Sequence, residues 1–266
     1  MSVVLFPGFL STTEDGAPVA RAGALDLRTV SLPSLVATSD RTHAVERARG
    51  LIAHGDIVVG YSLGARIAMA ALADDRTRTR ARGLVLLSAT RGIGDAQARA
   101  ERAHLEASWG ETLRVLPHAF VDTWRDQPIF RSLRDTPAGR AQHARRAALA
   151  SDPVTGRTWG RGWAEVLSLF GQGASVVEER TLAALTLPTV IVAGSLDVPY
   201  VARAAELVTA IPGARAHVVE RAGHALLLEA PEAVASIILE LSHRADESAH
   251  HQVFADARGT TGGTSP

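Results

Sequence analysis

Short apolar runs alternate with amphipathic stretches in a β-α rhythm that holds at both ends of the chain and lapses in the middle. Val3-Val4-Leu5-Phe6 is apolar without interruption, as a strand covered on both faces requires, and Pro7-Gly8-Phe9-Leu10 turns the chain out of it. Residues 25–32 give a second strand. From the N-cap candidate Asp40, the positions Ala44, Ala48, Leu51 and Ile52 fall on one helical face that runs out near Gly55. Asp56-Ile57-Val58-Val59 predicts a third, fully buried strand, and residues 63–72 a helix whose small residues allow close packing on a sheet. An Arg-rich turn over 74–82 leads to a fourth strand at 83–88. Then the rhythm stops: residues 91–182 follow helical spacing alone, with breaks at Asp135-Thr136-Pro137 and Ser151-Asp152-Pro153. It resumes with strands at 189–193 and 216–219 and helices at 201–210 and 231–243. Residues 245–266 are polar and rich in Gly and Thr, the composition of a disordered tail.

Six strands with intervening helices predict an α/β fold built on a doubly wound, mostly parallel sheet. Helices inserted after the fourth strand would cover its carboxyl edge, where ligands bind in open α/β sheets. That makes 91–182 a helical lid, which carries all four tryptophans, Trp109, Trp124, Trp159 and Trp163. The expected organisation is a single domain over 1–244 with the lid as its insertion, a size that 266 residues with 46% hydrophobic content can support around one core.

Composition narrows the chemistry. Formal net charge is zero, so a nucleic-acid partner is not expected, because polyanion binding calls for a basic excess. The basic residues are all Arg, which excludes a lysine Schiff base and leaves carboxylate recognition to guanidinium forks. With no Cys there are no disulfides, thiolate nucleophiles or cysteine metal sites. The first residues enter a strand without a signal-peptide pattern, and no apolar run reaches membrane-spanning length, so a soluble cytoplasmic protein acting on a small molecule is expected. No paired-His spacing on a helix and no phosphate-cradling glycine loop calls for a metal or organic cofactor. Nothing in the pattern indicates an oligomeric state.

The candidate chemistry centres on Gly60-Tyr61-Ser62-Leu63-Gly64, which joins a buried strand directly to a helix. In such a nucleophile elbow the serine sits on a strained turn at the carboxyl end of the strand, and the glycines are needed where a Cβ would meet neighbouring backbone. A serine hydroxyl needs a base, and the base needs an acid to fix its tautomer. Asp197, in Gly194-Ser195-Leu196-Asp197, and His224, in Arg221-Ala222-Gly223-His224, follow the last two strands and so lie on the same sheet edge as Ser62. Asp197 also has a purely structural alternative, capping the helix that follows it. His217 and His243 carry no comparable context. Two backbone N–H groups, those of Leu63 and Phe9, are placed to form an oxyanion hole.

These surroundings resemble the α/β-hydrolase superfamily over residues 3–243. Further segments resemble one branch of it, the menaquinone-pathway 2-succinyl-6-hydroxy-2,4-cyclohexadiene-1-carboxylate synthases: Gly8-Phe9-Leu10, the elbow extended through Ala65-Arg66, residues 98–102 leading to Trp109, and the lid run from Phe120 through Trp124 to Phe130. The resemblance implies a triad that removes a proton and eliminates pyruvate from a polycarboxylate without adding water. The chain departs from that branch at Pro7, where a histidine is usual, and at Ser34-Leu35, where a Gly-His-Gly run is usual; the opening antiparallel strands are also not visible. A polycarboxylate calls for fixed cations, and Arg66, Arg99 and Arg102 are the candidates for a clamp, the last two spaced i, i+3 on one lid face. Tyr61 and Trp124 are candidate pocket walls. Two other readings use the same residues: hydrolysis of an ester or thioester through an acyl-enzyme, and a non-catalytic binding protein on the same scaffold.

Overall fold

The computed structural model describes residues 1–37 and 40–259, with side chains through Ala245. Among these residues six strands form one sheet in the order β2-β1-β3-β4-β5-β6, where β1 is Ser2–Phe6, β2 Asp26–Thr29, β3 Ile57–Tyr61, β4 Gly83–Leu87, β5 Thr189–Gly194 and β6 Arg215–Val219. Every neighbouring pair is parallel, so the expected doubly wound sheet is present without the opening antiparallel strands. The chain leaves β1 to one side for β2 and returns to the other side for β3. The topological switch point, where such sheets bind ligands, therefore lies between the carboxyl ends of β1 and β3.

The uninterrupted apolar runs are explained by cover on both faces. Val4, Phe6, Val58, Leu84, Leu86 and Ile191 point into one core layer, and Val3, Leu5, Ile57, Val59, Val85 and Val192 into the other. On the first face lie α3 (Arg41–Gly50), α4 (Leu63–Leu72) and α12 (Val198–Ala210); on the second lie α1 (Ala17–Ala22) and α14 (Pro231–Gly259). Asp40 caps α3 as its sequence suggests, accepting from the His43 N–H at 3.0 Å. Edge strand β6 is exposed over its first four residues, so its position rests mainly on the ladder to β5.

Three sequence expectations are corrected. The second strand is shorter than 25–32, because Leu32 and Pro33 open a short helix, α2 (Leu32–Val36), with proline tolerated in the first turn. Helix α1 and the 3-10 turn Thr13–Gly16 before it were not legible, since only Val19 within α1 is buried apolar. The last helix continues past His243 to Gly259, where a disordered tail was expected from 245. No Gly or Pro interrupts it between those ends, so nothing local stops a helix there; residues 260–266 lie outside the described residues.

A short α5 (Asp75–Arg78) precedes β4, and the middle segment after β4 holds helices and, among the described residues, no strand, namely α6 (Ala96–Val115), α7 (Pro117–Arg125), α8 (Arg131–Arg134), α9 (Pro137–Ser151), α10 (Gly156–Phe170) and α11 (Glu179–Ala183) with a 3-10 turn at Pro128–Phe130. It meets the core through Phe9, whose ring makes edge-on contacts with Phe120, Trp124 and Trp163 at centroid distances of 6.1, 4.9 and 5.6 Å. A short α13 (Leu226–Glu229) precedes α14. No helix among the described residues is long and apolar enough to cross a membrane.

Candidate active site

The elbow is built as the glycines require. A Cβ on Gly64 would fall 2.1 Å from the Phe6 carbonyl oxygen and 2.3 Å from that of Pro7, and one on Gly60 would fall 2.7 Å from the Ala65 Cα. Helix α4 thus packs backbone-to-backbone on the sheet. Ser62 pays for this closeness with φ of 52°, in the left-handed region where a side chain is strained. The turn is held by the Ser62 N–H donating to the Leu87 carbonyl at 2.9 Å, and it presents Oγ above the strand ends.

Asp197 and His224 converge on that hydroxyl. His224 Nε2 lies 3.0 Å from Ser62 Oγ, and His224 Nδ1 lies 2.7 Å from Asp197 Oδ2. Asp197 is at the N-cap position of α12, yet its side chain makes no cap bond, which removes the structural alternative for this residue. The imidazole is 2% exposed and the Asp197 carboxylate side chain 3%. Three rings surround the imidazole, Tyr200 at 4.5 Å, Tyr61 at 5.8 Å and Phe130 at 6.0 Å between centroids, so water is largely excluded from the base. Burial pushes the Tyr61 and Tyr200 phenols above their ordinary values, so both stay neutral donors. His217, within β6, and His243, on α14, are both exposed and neither is in the cavity wall, as their lack of context suggests.

Ser62 opens into a cavity of about 300 Å³ between the sheet edge and the lid, with Gly8, Phe9, Leu63, Tyr61 and Trp124 in its wall. Four guanidinium groups line it, those of Arg66, Arg102, Arg146 and Arg203, the last half-exposed and paired with Glu206 at 2.7 Å. Arg66 is 3% exposed, and its Nε and Nη2 both donate to the Phe170 carbonyl, at 3.3 and 2.6 Å. It has no carboxylate partner among the described residues, and burial lowers its pKa to about 10. Arg102 bonds Glu106 through Nε at 2.7 Å and lies over the Trp109 ring. Arg146, from α9, is buried 3.5 Å from Asp15, and burial lowers its pKa too.

Arg99 does not join this group. Its guanidinium turns back to the carbonyls of Ile93 and Gly94, at 3.1 and 3.0 Å, and it is not in the cavity wall. Arg99 sits in the first turn of α6, so a shared face with Arg102 still leaves it about 4.5 Å further along the helix axis. The Phe9 side chain, beyond the role expected of its amide, is the hub of the aromatic contact between lid and core.

Wall residues that were not anticipated include Arg146, Arg203, Gln142, Glu106 and Tyr200. Gly139, Gln142, Arg146 and Ala150 form the buried face of α9. Two polar residues on the inward face of a lid helix was the available signal, hidden by the abundance of Arg. Glu106 is buried and accepts from Arg102 and from the N–H groups of Gln172 and Gly173 at 2.9 and 3.0 Å. Trp124 Nε1 is a buried donor with no hydrogen-bond partner among the described residues.

Sequence and structure comparisons bear on the family and the fold. The alpha/beta hydrolase family matches residues 3–237. A 2-succinyl-6-hydroxy-2,4-cyclohexadiene-1-carboxylate synthase of Escherichia coli is 31% identical over 186 residues, which span 69% of this chain and 67% of the relative. Among solved structures, MenH from S. aureus superposes with a TM-score of 0.79 at 20% identity, covering 92% of this chain and 94% of that one. A thermophilic esterase from Thermogutta terrifontis superposes at 0.70 with 19% identity, covering 92% and 90%.

Proposed function

The chain belongs to the alpha/beta hydrolase family, and on that premise we propose that it is a lyase of the synthase type, in which Ser62, His224 and Asp197 remove a proton from a small polycarboxylate and expel pyruvate. The observation that carries the reading is Arg66. A buried cation with no bonded carboxylate costs several kcal/mol unless something in the site compensates it, and Arg66 faces the same cavity as Ser62, hydrogen-bonded only to a neutral carbonyl, while the nearby Glu106 charge is already bonded to Arg102. A substrate carboxylate supplies the missing charge. Arg102 and Arg146, both already partnered by acids, complete a wall suited to a second carboxylate.

The chemistry follows from the hydrogen-bond chain. His224 Nε2 accepts the Ser62 proton while Asp197 steadies the imidazolium from the other side. The Ser62 oxygen then takes the proton from the acidic substrate carbon. The electron pair of that C–H bond forms the new double bond as the bond to the leaving pyruvate unit breaks, and the proton held by His224 passes to the leaving group. Ser62 ends as it began, and no water is consumed. The Leu63 and Phe9 amides are the donors for the oxyanion that develops on the way.

Hydrolysis through an acyl-enzyme is the second reading, favoured by the likeness to the esterase and by the same Ser62–His224 distance. The two separate in one experiment. Incubation with the cyclohexadiene precursor should release pyruvate in step with substrate loss, and Ser62→Ala should abolish it. Turnover of a p-nitrophenyl ester without pyruvate release would assign the protein to the hydrolases.

A further inference from the structure

The triad base stands at the far end of the sheet from its nucleophile. Ser62 follows β3 and His224 follows β6, and the intervening order is β3-β4-β5-β6. β6 is also an edge strand exposed over its first four residues, so the strand gives little support to the loop after it, which is itself buried from Ala222 through Leu227. Two side chains bind the backbone of that loop. Ser88 Oγ donates to the His224 carbonyl at 2.9 Å, and the Glu229 carboxylate accepts from the Gly223 N–H at 2.8 Å and the Ala225 N–H at 3.0 Å. The peptide group after His224 is therefore held from both sides, and the Gly223 N–H before it is held as well.

Ser88 carries a second mark. It is fully buried, directly follows β4, and has φ of 44°, a strained conformation for a residue with a side chain. The residue before it, Leu87, accepts the hydrogen bond from the Ser62 N–H at 2.9 Å. Two consecutive residues thus hold the nucleophile backbone and the base backbone, one through its carbonyl and the other through its hydroxyl. We propose that Ser88, assisted by Glu229, is a positioning residue that sets the distance between Ser62 and His224. The strained turn at Ser88 is what aims its hydroxyl across β5 to the His224 loop. The inference rests on the triad of the proposed function but not on which reaction the triad performs.

Hydrogen exchange on the full chain tests it without any substrate, in parallel with kinetics. Ser88→Ala should speed exchange of the Gly223 and Ala225 amides by about tenfold or more while the β3 and β5 amides keep wild-type rates. In turnover, whether of the precursor or of an ester, kcat should fall by about 10²-fold with KM within twofold, since a small misplacement of a catalytic group has that effect. Ser88→Gly removes the hydroxyl and the φ strain together, and it should be as slow as Ser88→Ala with a different thermal midpoint. Glu229→Gln keeps one acceptor and should fall between these variants and wild type. Unchanged exchange at Gly223 and Ala225, or activity that follows the thermal midpoint across the two Ser88 variants, would overturn the proposal. If the wild-type chain turns over only the ester, the proton-abstraction reading fails, and the same exchange and ester-kinetic results still decide this proposal.

Discussion

Replacing Arg66 with methionine should separate stability from function. Burial holds the guanidinium pKa near 10, well below its ordinary value, so the charged form is disfavoured in the empty pocket. At roughly 1.4 kcal/mol per pKa unit the penalty is about 3 kcal/mol. It is fully present at neutral pH, begins to fade as pH rises past about 10, where the folded-state group discharges, and is gone only above the ordinary arginine value. Arg66→Met removes this penalty but leaves the Phe170 carbonyl without its donors, which costs about 1–3 kcal/mol. The two nearly cancel, so the thermal midpoint should stay within about 5 °C of wild type. The substrate carboxylate loses a charge-assisted bond in a dry pocket, about 3 kcal/mol, which is roughly 100-fold to 200-fold in kcat/KM. Pyruvate release measures the kinetics, and quenching of Trp109 and Trp124 fluorescence by succinate measures anion binding independently of turnover. In wild type, that binding should weaken above about pH 10 as Arg66 loses its proton. A fall in kcat/KM of less than tenfold, or a collapse of the thermal midpoint alongside activity, would refute the reasoning and leave Arg66 a structural residue.

Other perturbations test other parts of the site. Asp197→Asn should lower kcat by about 10⁴-fold with unchanged circular dichroism, because the amide favours the wrong imidazole tautomer; a loss below tenfold would return Asp197 to a structural role. Gly64→Ala should destabilise the fold by several kcal/mol in urea titration, since the new methyl meets two carbonyl oxygens and neither can move without breaking β1. Phe9→Ala should cost about 3–5 kcal/mol and raise lid susceptibility to protease before the sheet unfolds, as it empties the centre of the aromatic contact with Phe120, Trp124 and Trp163.

The sheet and the triad were legible for a shared reason. Strands covered on both faces must be apolar at every position; Ser62 directly follows such a run and Asp197 comes three residues after another, while His224 follows the exposed edge strand, so the sheet edge that holds all three is known once the strands are. The elbow glycines were legible because they answer a local steric demand. The pocket wall was not, because its charges come from lid helices whose orientation no local rule fixes. Arg99 and Arg102 looked equivalent from spacing, yet only Arg102 reaches the cavity. Arg146 was hidden because its buried partner, Asp15, lies in the short turn before α1, distant in sequence and in a segment without apolar periodicity. The run from His243 to Gly259 misled for the opposite reason: its polarity suggested disorder, while its lack of breakers allowed a helix.

The most direct test of proton abstraction by the triad is a single-turnover comparison of the cyclohexadiene precursor with hydrogen and with deuterium at its acidic carbon. Elimination through Ser62 and His224 predicts slower pyruvate release from the deuterated substrate, and no release of either kind from Ser62→Ala. Equal rates for the two substrates, or pyruvate release that survives Ser62→Ala, would contradict the account.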